Sequence, residues 1–139
     1  MDDGSTGGTY TLLLDLPEAV DVVVGALGTH RFPAGAYAYT GSALGSGGFT
    51  RVDRHRRVAA GDHDVRHWHI DYLAGHPDTT LVDVVTSPGV DAECAIARRL
   101  PAGPVDGFGA SDCDCRSHLA VGGSIDGLRA TVEAAHRKN

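Results

Sequence analysis

The stretch at residues 35–43, Gly-Ala-Tyr-Ala-Tyr-Thr-Gly-Ser-Ala, constrains the fold of this chain more than any other. Tyr37 and Tyr39 are two positions apart, so an extended strand would place both rings on the same side. We expect Gly41 to let the backbone leave the strand, because glycine adopts conformations that other residues avoid. The stretch therefore predicts a strand that carries two phenols and ends in a turn.

An arginine-rich segment at residues 49–58 follows and predicts a helix that ends near Gly61. Within it, Arg51, Arg54 and His55 would lie within one turn of one another. A guanidinium offers a fixed pair of donors to a phosphate, which makes Arg51 suitable for phosphate binding. The strand and the helix together predict a site that can hold a phosphodiester.

The remaining sequence predicts a small α+β fold. Alternation at residues 9–16 indicates a half-buried strand. The valine-rich residues 19–27 indicate a second strand, and a connection at 28–35 joins it to the strand that carries the two phenols. Further strands are predicted at 79–86 and 117–121, and further helices within 63–75, at 91–100 and from Ser124 to about 137. Short connections favour antiparallel pairing. We expect one domain over residues 8–139, a mainly antiparallel sheet flanked by helices, after a flexible lead at 1–7.

Length and charge bound the function. A chain of 139 residues suits one domain with a modest core. The net charge of −6 argues against a nucleic-acid binder that is basic over its whole surface, although the arginines cluster in one segment. No apolar run approaches the roughly 20 residues of a membrane span, and the acidic N-terminus is unlike a secretory signal. We therefore predict a cytoplasmic protein with no membrane partner.

Glu93 is a candidate metal ligand. On the predicted helix it shares one stripe with three apolar residues, Ile96, Ala97 and Leu100. A carboxylate on an apolar stripe is costly unless it is paired or binds a metal. The alternative is a first-turn glutamate that the helix dipole stabilises. A single carboxylate completed by water is typical of Mg²⁺ sites.

A second group of candidate ligands lies near the C-terminus. Cys113, Cys115 and His118 form a Cys-x-Cys-x-x-His run, which together with His69 could bind zinc. The usual spacing of structural zinc sites is Cys-x-x-Cys, however. The alternative is a pair of buried thiols with hydrogen-bonded histidines.

Several short motifs resemble those of the GIY-YIG nucleases. Residues 39–41, Tyr-Thr-Gly, resemble the second half of the family signature, and residues 8–10, Gly-Thr-Tyr, resemble the first half. The blocks at 67–73 and 107–115 resemble an uncharacterised branch of that superfamily, sometimes fused to endonuclease-III-type DNA repair enzymes. The resemblance extends from about residue 8 to residue 118, and its motifs are specific as a set.

The resemblance implies metal-dependent hydrolysis of a phosphodiester in nucleic acid, more readily DNA than RNA, and a DNA repair protein as partner. It implies that Tyr10 and Tyr39 activate or orient the attacking water and that Arg51 stabilises the phosphate charge. It assigns Glu93 to the binding of Mg²⁺ or Mn²⁺. His55, with an ordinary pKa of about 6.5, is a competing general base.

The basic residues beside this site are expected to contact nucleic acid. They are Arg54, Arg56 and Arg57. For Arg56 and Arg57 a solvated helix face is an alternative. There are two alternatives to the enzyme. One is a nucleic-acid-binding module that keeps the fold without cleavage, with or without a bound zinc ion, and the other is an adaptor that docks onto a repair glycosylase.

The sequence departs from the family pattern at two places. The segment between the two signature tyrosines is longer than usual, which indicates an insertion around residues 17–35. The late active-site asparagine is missing, because the only asparagine of the chain is Asn139. Ser111, Asp112 and His118 are the candidates to replace it.

Overall fold

The computed structural model of the chain describes residues 7–43, 48–61, 69–101 and 118–137. Within these ranges the backbone forms six β-strands and four α-helices. The strands are β1 (Gly8–Leu16), β2 (Val20–Val23), β3 (Thr29–Phe32), β4 (Gly35–Ser42), β5 (Thr80–Pro88) and β6 (Leu119–Gly122). The helices are α1 (Thr50–Ala59), α2 (His69–Ala74), α3 (Glu93–Arg98) and α4 (Ile125–Arg137).

Four of these strands form one antiparallel sheet in the order β5-β1-β4-β6. β1 lies inside the sheet and pairs along its length with β4 on one side and β5 on the other. The predicted α+β fold with a mainly antiparallel sheet is confirmed. The two strands that carry the signature tyrosines, β1 and β4, are therefore direct neighbours.

β1 is buried on both of its faces, so the prediction of a half-buried strand is wrong. On one face, Leu12 and Leu14 belong to a core cluster with Ile70 of α2. On the other face, Leu13 belongs to a second cluster with Ile96 of α3 and residues of α4. Helices thus cover the central strand from both sides.

Threonines on the second face of β1 are buried because their hydroxyl groups are hydrogen-bonded. Thr9 Oγ1 donates to the Val90 carbonyl at 2.7 Å. Thr11 Oγ1 lies 3.0 Å from Thr40 Oγ1 and 2.8 Å from His136 Nε2. Hydroxyl groups that make hydrogen bonds can be buried at little cost, so these threonines do not prevent the burial of this face.

The inserted segment between β1 and β4 forms a separate hairpin. β2 pairs with β3, and a 3₁₀ helix at Gly25–Leu27 leads from one towards the other. The prediction of one strand at 19–27 followed by a plain connection at 28–35 is wrong, since Thr29–Phe32 is itself a strand. Phe32 is fully buried in the first core cluster, so the hairpin covers the face on which Tyr10 lies.

α1 and α4 agree with the predicted start and stop signals, whereas α3 spans Glu93–Arg98 and is shorter than the predicted 91–100. α1 is followed by Gly61, which has a positive φ of 82° that favours glycine. Ser124 Oγ accepts a hydrogen bond from the Gly127 N–H at 3.1 Å and caps α4, as predicted. Within the described ranges, every helix is too short or too polar to cross a membrane.

Candidate active site

Tyr10 and His55 form the centre of the candidate site. Tyr10 lies on β1, and His55 lies on the buried face of α1 with Val52 and Val58. Tyr10 Oη and His55 Nε2 are 2.7 Å apart, which is a hydrogen bond, and the ring centroids are 5.4 Å apart. The side chains are only 2% and 1% exposed. The structure thus joins two residues that the sequence predicted as catalytic.

Tyr39 contacts the same imidazole from β4. Its ring meets that of His55 edge-on, with centroids 6.3 Å apart and planes at 67°. Tyr37 shares the face of Tyr39, but it packs against Phe32 and donates a hydrogen bond to the Pro33 carbonyl. Of the two phenols on β4, one belongs to the site and the other to the core.

Gly41 is needed for space rather than for a turn. It lies opposite Tyr10 in the β1–β4 pairing, and β4 continues through it to Ser42. The prediction that the backbone leaves the strand at Gly41 is therefore wrong. A Cβ atom on this residue would lie 2.6 Å from Tyr10 Oη and 2.7 Å from its Cζ. A side chain here would displace the Tyr10 ring.

Burial fixes the protonation of the site at neutral pH. Burial is the main cause that raises the pKa values of Tyr10 and Tyr39 above the usual range. Burial also lowers the pKa of His55 to about 4, against an opposing effect of the Asp71 carboxylate. Two protonated phenols and a neutral imidazole therefore meet at this site.

Charged side chains also act on these phenols. The Glu93 and Asp71 carboxylates raise the pKa of both Tyr10 and Tyr39, and the Arg51 guanidinium lowers both. Arg51 is exposed, and its Nη1 donates a hydrogen bond to the Ser42 carbonyl at the end of β4. One cation and two carboxylates thus act on the neutral groups of the site.

The three arginines predicted to contact nucleic acid differ in their surroundings. Arg56 and Arg57 are exposed, and Arg56 Nη1 lies 3.7 Å from Asp53 Oδ1. Arg54 is only 14% exposed, and its two Nη atoms donate to the two oxygens of Asp71 at 3.0 and 2.9 Å. Arg54 is therefore part of a buried ion pair between α1 and α2.

Asp71 is the residue of this site that the sequence analysis did not assign. It is fully buried, and its Oδ1 lies 4.0 Å from His55 Nδ1. A signal was present, because Asp71 stands between Ile70 and Leu73 on a short helix whose buried face includes all three. An acid on such a face requires a cation, and the arginines of α1 were the nearest source.

Glu93 lies at the exposed end of its apolar stripe. Ile96 and Ala97 are buried, but the Glu93 side chain is 28% exposed in the first turn of α3. Its Oε2 is 3.0 Å from His118 Nδ1, and His118 Nε2 is 3.9 Å from Cys94 Sγ. Glu93 thus fits both interpretations of the sequence, because it lies in the first turn of the helix and its carboxylate is paired with His118.

The backbone of His118 is held next to Thr40 of β4. Its carbonyl accepts a hydrogen bond from the Thr40 N–H at 3.0 Å, and its side chain is buried against Glu93. Of the candidates to replace the missing asparagine, Ser111 and Asp112 lie outside the described residues. His118 is placed at the site by these contacts.

The metal predictions rest on Glu93 for a divalent cation and on the cysteine run for zinc. Cys113 and Cys115 lie outside the described residues, and His69 is half-buried, with a pKa that burial lowers. Among the described residues, no three His, Cys, Asp or Glu side chains come together to hold a metal. The partly exposed Glu93 carboxylate is an oxygen ligand that, completed by water, fits Mg²⁺ or Mn²⁺. Zinc stays a prediction.

The fold and site define a small α+β domain in which two tyrosines of neighbouring strands contact one buried histidine. The family described as Domain of unknown function DUF123 matches residues 9–139, and the chain belongs to it. Comparison with curated proteins found no match, and comparison with solved structures found none either.

Proposed function

We propose that this chain is a metal-dependent phosphodiesterase of the GIY-YIG type that hydrolyses nucleic acid, with DNA as the expected substrate. The observation that carries the proposal is the buried hydrogen bond of 2.7 Å between Tyr10 and His55. Buried pairs of a phenol and a neutral imidazole are suited to proton transfer, because the imidazole can accept the proton that the phenol gives up. The resemblance to the nuclease signature, on the same tyrosines, supports the same chemistry.

Each residue has a role in this proposal. Tyr10 takes a proton from the attacking water while it gives its own proton to His55, and Tyr39 fixes the imidazole and orients the water. The exposed Arg51 binds the phosphate and stabilises its developing charge. Glu93 would hold Mg²⁺ or Mn²⁺, which supplies positive charge at the scissile phosphate. The exposed Arg56 and Arg57 bind the nucleic-acid backbone on either side.

Nicking of supercoiled plasmid DNA tests this proposal. We expect conversion to the nicked form with Mg²⁺ and none with a chelator. Tyr10→Phe removes the hydroxyl and keeps the ring, and it should slow nicking at least about a hundredfold, the usual range for a lost acid–base group. Tyr37→Phe is the matched control, because its hydroxyl bonds the Pro33 carbonyl in the core, and it should leave nicking unchanged.

A second candidate is a non-catalytic nucleic-acid-binding or repair-adaptor module on the same fold. It is favoured by the near-complete burial of Tyr10 and His55 and by the contact between Glu93 and His118, both of which suit groups that stabilise a fold. Metal-independent binding of labelled DNA or of a repair protein, with no cleavage of DNA or RNA, would support this candidate against the enzyme. We propose a cytoplasmic location for either candidate.

A further inference from the structure

A chain of contacts runs from α2 through α1 to the central strand. Arg54 donates hydrogen bonds to both carboxylate oxygens of Asp71, which is fully buried. Asp71 Oδ1 lies 4.0 Å from His55 Nδ1, and His55 Nε2 lies 2.7 Å from Tyr10 Oη. The carboxylate and the phenol therefore face opposite nitrogens of one imidazole.

This arrangement selects between the two neutral forms of the imidazole. A neutral histidine carries its proton either on Nδ1 or on Nε2. A negative charge 4.0 Å from Nδ1 in a buried setting favours a proton on that atom, although the separation is too long for a direct hydrogen bond. Nε2 is then left with a lone pair that can only accept from Tyr10.

The other groups that act on His55 differ from Asp71 in their charge or in the direction of their effect. Tyr10 and Tyr39 contact it from the sheet, and both are neutral at pH 7 because burial raises their pKa values. Arg51 and Arg54 disfavour a charged imidazole and Asp71 favours it. Asp71 is thus the group that opposes the two cations.

We propose that Asp71 is the positioning residue of this site: held by Arg54, it keeps the His55 proton on Nδ1, so that Nε2 is ready to accept the proton of Tyr10. The catalytic part of this inference rests on the proposed function. As the water oxygen bonds to phosphorus and the bond to the leaving ester oxygen breaks, a water proton passes to Tyr10 Oη. The proton of Tyr10 passes to His55 Nε2, the leaving oxygen takes a proton from solvent, and the imidazolium later releases its proton to solvent. Asp71 stabilises the imidazolium in between.

The form of the His55 ring can be measured without any cleavage assay. Nitrogen NMR of ¹⁵N-histidine-labelled protein at pH 7.5 distinguishes protonated from unprotonated ring nitrogens, and a His55→Gln spectrum assigns the signals among the eight histidines. We expect a protonated Nδ1 and an unprotonated Nε2 in the wild type. A proton on Nε2 would overturn the proposal.

A paired substitution shows whether Asp71 is the cause. Arg54→Met with Asp71→Leu removes both charges and leaves no lone buried ion, because apolar replacement of a buried pair is often tolerated. We expect Nε2–H to become populated and kcat to fall at least about tenfold, with KM changed less than about threefold. Asp21→Asn with Arg31→Gln, an exposed pair on the hairpin, is the control and should change neither.

The outcomes separate the two proposals. An Asp71-dependent proton on Nδ1 in a protein that cleaves no nucleic acid leaves the positioning role in place and removes the nuclease. Cleavage by a protein whose His55 keeps its proton on Nδ1 after the paired substitution removes the positioning role only. If the paired variant does not fold, the wild-type spectrum still decides, because a proton on Nε2 contradicts the proposal.

Discussion

Tyr10 Oη and His55 Nε2 are 2.7 Å apart although the residues are 45 positions apart in sequence. This one contact joins the central strand of the sheet to α1 at the centre of the candidate site. Burial disfavours the charged form of each partner, so the pair is neutral at pH 7. It stabilises the fold and is also the feature from which the proposed chemistry follows.

The low pKa of His55 predicts a specific dependence of stability on pH. Its pKa is about 4 in the folded protein and about 6.5 when unfolded, so the unfolded state binds more protons between these values. The stability that depends on neutral His55 is complete above pH 6.5 and is lost as the pH falls towards 4. Between pH 7 and 4.5, the free energy of unfolding should therefore fall by roughly 2–3 kcal/mol less in His55→Gln than in the wild type.

Urea unfolding at several pH values measures this difference. Burial also lowers the pKa values of His69 and His136, so both proteins should lose some stability in acid. Only the difference between the two curves reports on His55. Parallel curves would show that His55 is not buried in its neutral form.

The close approach of Tyr10 to Gly41 predicts that one added methyl group at Gly41 lowers the free energy of unfolding. Gly41→Ala would place Cβ 2.6 Å from Tyr10 Oη, so the ring must move and its hydrogen bond to His55 must break. We expect a loss of about 1–3 kcal/mol in the free energy of unfolding. Gly123→Ala is the matched control, because its Cβ would have nothing within 4 Å, and it should be nearly neutral. Equal stability of the two variants would contradict the described packing.

Because Arg54 belongs to a buried ion pair, we predict that its substitution lowers the free energy of unfolding. Arg54→Met leaves the Asp71 carboxylate buried without its main counter-ion, which should cost about 3–5 kcal/mol. Arg31→Met, which breaks an exposed pair of 3.3 Å with Asp21, should change stability by less than about 1 kcal/mol. Chemical denaturation measures both. A fully stable Arg54→Met would show that the pair contributes nothing.

The exposed Arg57 is expected to act on binding instead. Arg57→Ala should weaken DNA binding without loss of stability, as the loss of a contact to the nucleic-acid backbone would.

Local patterns in the sequence predicted much of the fold. The alternation through Leu12 and Leu14 identified β1 and the face on which Tyr10 lies, and Gly61 marked the end of α1. The hairpin was missed because Thr29–Phe32 is a strand of four residues between Gly28 and a proline, which reads as a turn. The second buried face of β1 was missed because nothing in β1 itself shows that α3 and α4 cover it.

Contacts between distant elements could be predicted only in part. Tyr10, Tyr39 and His55 were grouped on their motifs, and the structure brings them together. The role of Asp71 was missed because its partner Arg54 lies on another helix. His118 was grouped with the cysteine run, yet its side chain meets Glu93. Such pairings depend on how the elements pack, which spacing along the chain does not encode.

The metal-dependent cleavage rate of Glu93→Gln against the wild type is the measurement that tests the proposed nuclease most directly. The substitution keeps the shape of the side chain next to His118 and removes only the charge that would hold the cation. On an end-labelled DNA duplex with Mg²⁺, we expect cleavage at least about a hundredfold slower, the usual size of lost charge stabilisation. DNA binding and the unfolding midpoint should stay unchanged. A variant that cleaves as fast as the wild type, or a wild type that cleaves neither DNA nor RNA, would contradict the account.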